Sequence, residues 1–370
     1  MILLSPIVLK AIAENAARID SENLLPEQEF HWLASDGLLQ FGLPGKPLDF
    51  SSPDTASLLQ LLKEVGRANL SVGRIYEGHV NALQLIHLFA SDKQKKVWYA
   101  AASRNELFGI WNTQDESGVQ LHDLGDGRYR IEGCKTFCSG AGLVQRPIIT
   151  GQLISTTRQG WQMCILPASK IKEATIDKGF WHPLGMRASA SHRIDFSGIE
   201  ISEDDLLGEP DTYYRQPNFG SGAVRFAAVQ LGGAEAIMRE TVRYLKSLQR
   251  TGDLFQQARI AEMACLIESG NLYLSSVGSK IDEWKANGDE SIQKILAYAN
   301  MTRAMTEEAC LRSMQLAERC VGAKGLLRPS PLERLHRDLT FYLRQPAPDA
   351  ALTGIGNHLL QQDETDDCWK

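Results

Sequence analysis

The spacing of apolar residues gives the chain three textures in turn. Ile7, Leu9, Ile12, Ala16 and Ile19 recur at helical intervals. They predict a first helix with Ser5 as its N-cap and Pro6 as its first residue. A second helix is expected from Glu27 to a stop at Asp36-Gly37, with Leu43-Pro44-Gly45 as a loop. Leu58, Leu61, Leu62 and Val65 predict a third, ending near Gly66. A longer segment runs through Val80, Leu83, Leu85 and Leu88.

Between about residues 106 and 205 the period shortens to that of strands. Asp126-Gly127 is a hairpin signal, followed by Tyr129, Ile131 and alternating polar residues. Arg146–Ile154, Gln162–Leu166, Arg193–Phe196 and Ile199–Ile201 also read as strands. From about residue 220 the helical period returns, over 221–249, 255–287, 290–321, 331–344 and 349–361. The first three are long enough for a bundle, and the acidic tail from Asp363 to Lys370 reads as frayed. The resulting division is a helical domain over 1–105, a β domain over 106–210 and a helical bundle over 211–370. Strands confined to the middle argue against a doubly wound nucleotide domain, and no GxGxxG, GxxxxGK[ST] or HExxH occurs.

Composition narrows this picture only slightly. The net charge is -6 with Lys and Arg scattered, which gives no nucleic-acid surface. The seven cysteines include no CxxC pair and read as small buried hydrophobes in a reducing compartment, with no metal site. The N-terminus lacks the basic region of a signal peptide, and no apolar run reaches membrane-spanning length. The expectation is a soluble, cytoplasmic protein.

Five segments, in order, resemble signatures of the acyl-CoA dehydrogenase superfamily. They are Leu33–Pro44, Gly109–Gln114 with Ser117-Gly118, Tyr129–Ser139, Leu184–Ser189 with Asp195-Phe196 and Leu206–Glu209, and Glu333-Arg-Leu-His-Arg-Asp338 preceded by Gly322 and Gly325. The resemblance covers nearly the whole chain. It implies an α+β multidomain fold: an N-terminal helical domain, a central antiparallel β domain and a C-terminal helical bundle. It also implies FAD between the β domain and the bundle. The implied ring contacts are Trp111, Asn112 and Thr113, with Phe137 as the aromatic cover and Ser139 near flavin N5. Strand alternation would put Phe137 and Ser139 on one side, although Phe137 taken alone reads as a core aromatic at strand spacing and as the ring cover only within the motif. Ser117 is a pyrophosphate donor or a turn serine. Arg225 falls near the family's reaction centre, and Arg187 reads as support for its loop. Gly322 and Gly325 would allow close approach of FAD or backbone. Arg250 and Arg319 are candidate phosphate partners, Arg250 within a departure from the family's Arg-x-x-Phe-Gly motif.

The family's chemistry needs a carboxylate base, and this sequence lacks it where the family keeps it. Val224 precedes Arg225, and Pro346 or Ala347 stands at the other base position. Asp349 is either a relocated base or the cap of a helix starting at Ala350. Three functions therefore stay open. One is α,β-dehydrogenation of an acyl thioester, acyl-CoA or another, with hydride passing to flavin N5. The second is a reduced-flavin monooxygenase of the same fold, with FMN as cofactor and a hydroxyl such as that of Ser139 near the ring. The third is a flavin-binding protein that has lost its chemistry. His336 and His358 flank the loop and read as packing or surface residues. Implied partners are a small-molecule substrate, an electron-acceptor protein or oxygen, and copies of the chain in a homodimer or homotetramer. Lastly, Gly73–Asn81 is dense in polar groups for a helix. Glu77 and His79 there are candidate substrate contacts or proton carriers, or else a hydrogen-bonded packing patch.

Overall fold

The computed structural model describes residues 5–288, 291–362 and 369. Cys368 and the rest of the acidic tail beyond residue 362 lie outside them, Trp369 excepted. Helices α1 (Pro6–Ser21), α2 (Glu27–Ser35), α3 (Thr55–Ala68), α4 (Leu70–Phe89) and α5 (Asp92–Ser103) come first. Strands β1 (Phe108–Trp111), β2 (Gln120–Gly125), β3 (Arg128–Glu132), β4 (Cys134–Cys138) and β5 (Arg146–Ile154) follow. They continue with β6 (Gln159–Ile165), β7 (Thr175–Asp177), β8 (His192–Asp195), β9 (Ile199–Ser202) and β10 (Leu206–Leu207). The chain then returns to helices: α6 (Asn218–Ser221), α7 (Ala223–Ser247), α8 (Leu254–Ala286), α9 (Ile292–Gly325), α10 (Pro331–Tyr342) and α11 (Pro348–Leu360). No helix among the described residues is long and apolar enough to cross a membrane.

Local chemistry sets the helix starts. Asp54 caps α3 through Ser57 N, and Asn69 caps α4 through Ser71 N and Val72 N. Ser91 and Gln94 form a capping box on α5. Ser5 sits where a cap was expected, but its side chain makes no cap bond; its N–H donates to Asp36 instead. The last helix starts at Pro348 and not at Ala350, after Ala347 in a left-handed conformation. Asp349 therefore falls inside its first turn and does not cap it.

Strand β5 organises the sheet. One edge pairs with β6 along its length. The other edge is shared in parallel, by β1 opposite Arg146–Ile149 and by β2 opposite Gln152–Ile154. The chain thus leaves the sheet after Trp111 and rejoins it at Gln120. The remaining order is β10-β6-β5-β2-β3-β9, antiparallel outside those two pairings, and β4-β8-β7 form a second sheet. The β2–β3 hairpin turns at Asp126-Gly127, both with positive φ, as the sequence predicts.

Two contacts lock the parts together. In the first, α3 and α7 cross at glycines. A Cβ at Gly66 would lie 2.5 Å from the Val229 carbonyl oxygen, and one at Gly232 would lie 2.6 Å from Arg67 N. In the second, segment 184–190 is clasped by α10. Met186 N donates to Asp338 (2.6 Å), whose other oxygen accepts from Arg334 (3.1 Å). Arg337 then reaches Asp20 of α1 (2.7 Å), Glu333 (2.7 Å) and the Leu184 carbonyl (3.2 Å). The motifs behind the family resemblance at 184–189 and 333–338 are thus in direct contact. Arg187 contributes its carbonyl to this loop, accepting from Trp181 Nε1 (3.1 Å).

Gly232→Ala should destabilise the protein by roughly 2–3 kcal/mol, although alanine gains about 1 kcal/mol in helix propensity. Urea denaturation measures this. A midpoint at or above the wild-type value would show that the helices do not cross this closely.

Candidate functional site

The site starts where β1 and β4 end. Trp111 is buried and donates its indole N–H to the Ser139 carbonyl (3.0 Å). It was expected to touch the cofactor. Its one donor is spent inside the protein, so it acts by holding Ser139. Asn112 Oδ1 accepts from Thr150 (2.7 Å) and Trp161 (3.1 Å), and its amide reaches Tyr214 (3.3 Å). Thr113 is exposed, and its carbonyl accepts from Thr136 N (2.9 Å). Ser117 is also exposed; its N–H goes to Asp115, which pairs with Arg193 at 3.0 Å.

Lys135, not picked out by the sequence, holds this turn from below. It is fully buried and donates to the Asn112 carbonyl, Gln114 and Thr150 at 3.0, 2.6 and 3.2 Å. Burial lowers its pKa to about 7. The signal in the sequence is a lysine within a strand-like run of otherwise apolar and small residues.

Phe137 corrects the alternation argument. Its φ is 53° and the β4–β8 register slips between Lys135 and Cys138. The bulge turns the ring outward, 47% exposed, edge-on to Phe180 (5.3 Å) and Trp181 (6.1 Å). Ser139 lies beyond the strand, so a bulge and not strand alternation brings it beside Phe137. Its hydroxyl heads a short chain: Ser139 Oγ to Ser191 Oγ, and Ser191 Oγ to Ser189 Oγ, each 2.9 Å. Ser189 and Ser191 are buried. An outward aromatic face beside an accessible hydroxyl fits the edge and face of a planar ring such as a flavin.

The second part of the site lies on α4. Arg74, Glu77, Asn81 and Gln84 share one stripe of that helix. Glu77 is 2% exposed, with its two oxygens taken by Arg74 and Asn81. Arg225, in the first turn of α7, donates to Gln84 (2.6 Å), and its Nε is buried without a partner. Tyr213 and Tyr342 complete the cluster, each within electrostatic reach of Arg74 and Glu77. Tyr213 and Tyr214 are adjacent rings (5.0 Å), so this turn joins the helical cluster to Asn112. Glu77 and Arg225 were foreseen; Arg74, Tyr213 and Tyr342 were not, because they come together only through tertiary contacts.

His79 is not a proton carrier. It is wholly buried, with Nε2 donating to the Leu39 carbonyl (2.9 Å) and Nδ1 accepting from Phe108 N (3.0 Å). Both nitrogens are used and the ring is neutral; burial lowers its pKa from 6.5 to about 4. Asp349 is exposed in the first turn of α11, so the structure does not seat it as a base. Arg250 and Arg319 are exposed on the bundle, and Arg319 offers its carbonyl to Arg259 (3.4 Å). Gly322 breaks α9 at φ 60° with open space around its missing Cβ. Gly325 instead accommodates the Val321 side chain, so intrachain packing explains it. Helix α9, which carries Arg319 and both glycines, packs mainly on α7, α8 and α11, away from the β1–β4 turn.

Comparison with known proteins agrees with this architecture. Residues 6–106 match the family described as acyl-CoA dehydrogenase, N-terminal domain, and residues 212–343 match acyl-CoA dehydrogenase, C-terminal domain. The chain belongs to the acyl-CoA dehydrogenase superfamily. Similar proteins include the dibenzothiophene monooxygenase of Rhodococcus erythropolis, 20% identical over 83% of this chain and 80% of that protein. The mitochondrial short-chain specific acyl-CoA dehydrogenase of Rattus norvegicus is 24% identical over 89% and 81%. Among solved structures, FMN-bound TdsC from Paenibacillus sp. A11-2 superposes with a TM-score of 0.87, at 20% identity, over 98% of both chains. Methanesulfinate monooxygenase MsuC from Pseudomonas fluorescens gives 0.82 at 21% identity, over 100% of both. These likenesses establish the shared fold.

A buried neutral histidine ties stability to pH. The unfolded chain takes up a proton near pH 6.5, and the folded chain does so only near 4. The native state therefore loses about 3 kcal/mol from this group as pH falls through that window. Denaturation of wild type and His79→Asn at pH 7 and pH 4 should show the variant's deficit shrinking by about that amount. A constant deficit would mean that His79 is not held neutral.

Proposed function

We propose that the chain is a reduced-flavin-dependent monooxygenase of a small molecule, with FMN as the flavin. The observation that carries this reading is the segment from the end of α10 to the first turn of α11. Its one carboxylate, Asp349, is exposed to solvent, while Glu77 of the α4 cluster has both oxygens engaged. Dehydrogenation of a thioester would need a free carboxylate within hydrogen-bond reach of the substrate carbon. The likeness to several monooxygenases, one with FMN bound, supports oxygen transfer at least as well as dehydrogenation.

Bound reduced flavin would supply the two electrons with which dioxygen places one atom on the substrate and releases the other as water. The chain's own residues do the rest. Phe137 offers the flat apolar face. Ser139, oriented by Ser191 and by Trp111 through its carbonyl, would offer its hydroxyl to the edge of a bound flavin, with its hydrogen free when Ser191 is the donor between them. Lys135 and Thr150 fix Asn112. FMN is favoured over FAD because Arg250 falls outside the family's usual motif. Loop residues 114–117, Gln-Asp-Glu-Ser, also add acidic groups where a diphosphate would need donors. Exposed Leu254, Phe255 and Leu272 on α8 suit a homodimer or homotetramer.

Purified protein should bind FMN, seen as fluorescence quenching, and Phe137→Ala should weaken binding about tenfold, the worth of one aromatic contact. With reduced FMN and ¹⁸O₂, label should enter an accepted substrate. Ser139→Ala should cut that transfer about ten- to a hundredfold and divert oxygen to hydrogen peroxide. Flavin bleaching by an acyl-CoA without oxygen, with no label transferred from any substrate tried, would sink the proposal in favour of dehydrogenation.

A further inference from the structure

The polar cluster on α4 and the start of α7 holds more half-buried positive charge than it neutralises. Arg74 is paired with Glu77. Arg225 has no such partner among the described residues: its hydrogen bond goes to the neutral amide of Gln84, and its Nε is buried and unsatisfied. Glu77 attracts it, but both oxygens of that carboxylate are already taken. Lys285, at the end of α8, lies close enough to Arg225 for the two cations to repel, and burial lowers its pKa to about 8. The carboxylate nearest Lys285, Asp282, is engaged by Thr55 N and Oγ1 at 2.7 and 2.5 Å. A partly buried guanidinium without an anion is costly at its buried Nε, and an arginine cannot shed its proton to escape that cost.

The surroundings favour a ligand over a folding defect. A Cβ at Gly222 would lie 2.8 Å from Arg225 Nη2, so a glycine makes room for the guanidinium. Gly78 lies on the same helical stripe as Arg74, Glu77 and Asn81, and a Cβ there would meet nothing within 4 Å. There is thus unfilled space at Gly78, beside the buried Glu77. Asn81 Oδ1 is buried there without a partner, and the Tyr342 hydroxyl lies against the Arg74 guanidinium, which leaves its own hydrogen to donate. Arg74, Arg225 and Lys285 face Glu77 and the engaged Asp282, so the net charge is positive.

We propose that this cluster takes the oxyanion head of a small organic acid, a carboxylate or a sulfinate, against Arg225. Tyr342 and Tyr213 serve as hydroxyl donors, and Lys285 adds its charge from behind. This names the substrate class of the reaction proposed above and rests on that reading for its chemistry, though not for the binding itself. A planar guanidinium with an unused Nε–H matches a two-oxygen anion in a forked pair. A long apolar acyl chain would leave the same charge unpaired.

The test is binding to the full-length protein, with and without FMN, followed by thermal shift and calorimetry. Acetate, benzoate and methanesulfinate are compared with the neutral acetamide, benzamide and dimethyl sulfoxide. At least one acid should bind tenfold or more tightly than its neutral counterpart, and Arg225→Gln should abolish that preference while Arg225→Lys keeps part of it. Arg225→Gln should also leave the ligand-free melting temperature unchanged or higher, because it removes an unpaired buried charge. An arginine that served folding would lower it, which would overturn the proposal. So would equal binding of acids and neutral counterparts. If Arg225→Gln weakens FMN as much as benzoate, the cation belongs to the flavin phosphate and the proposal is overturned. Acid selectivity in flavin-free protein that never transfers oxygen would retire the monooxygenase reading and leave the anion site standing.

Discussion

The Asp338 carboxylate is the point on which the rest of the structure turns. It sits 2% exposed between Arg334 and the Met186 amide. Burial raises its pKa, and Arg334 and the Met186 N–H oppose that rise. Through Met186 it fixes a loop with two left-handed residues, Met186 and Ala190. Such a loop is costly to hold without outside support. That loop carries Ser189 and leads to Ser191, which orient Ser139. Through Arg337 on the same helix it ties down α1. One helix turn thus joins the N-terminal helices, the sheets and the bundle at the place where the hydroxyl chain begins.

The site divides its labour by secondary structure. The sheets supply neutral surfaces: the outward Phe137 ring, the serine hydroxyls and the Asn112 turn braced by Lys135. The helices supply charge, from α4, α7 and α8. The Tyr213-Tyr214 turn, which follows the last strand and precedes the bundle, touches both. Such a layout keeps the electrostatics of the cleft from depending on strand register. It also places charged groups on rigid helices, where side-chain positions are better defined than on loops.

Much of this was legible in the sequence where it is local. The three textures, the Asp126-Gly127 hairpin and the five motifs follow from period, turn chemistry and resemblance. The departure from the family at the base positions was legible too, because Val224, Pro346 and Ala347 can be read directly. What escaped is tertiary. The bulge at Phe137 turns its ring outward although Lys135, two residues earlier on the strand, is buried, and no residue type nearby announces it. His79 looked like a functional histidine because polar density on a helix does not say which groups will find backbone partners; Leu39 and Phe108 provide them from distant segments. Arg225 and Lys285 are sixty residues apart in sequence, and their shared burial depends on the packing of α7 with α8.

Gly78 has a consequence for how this chain diverges. The space beside Glu77 is left by a side chain that is not there, on a helix held in place by His79 and Asn69 and not by anything at position 78. A larger residue would enter that space without shifting backbone, and the glycine already costs the helix about 1 kcal/mol relative to alanine. A size filter of this kind can be retuned by one substitution at a time, with no loss of folding on the way. Substrate range would then drift faster than fold, by side-chain volume alone.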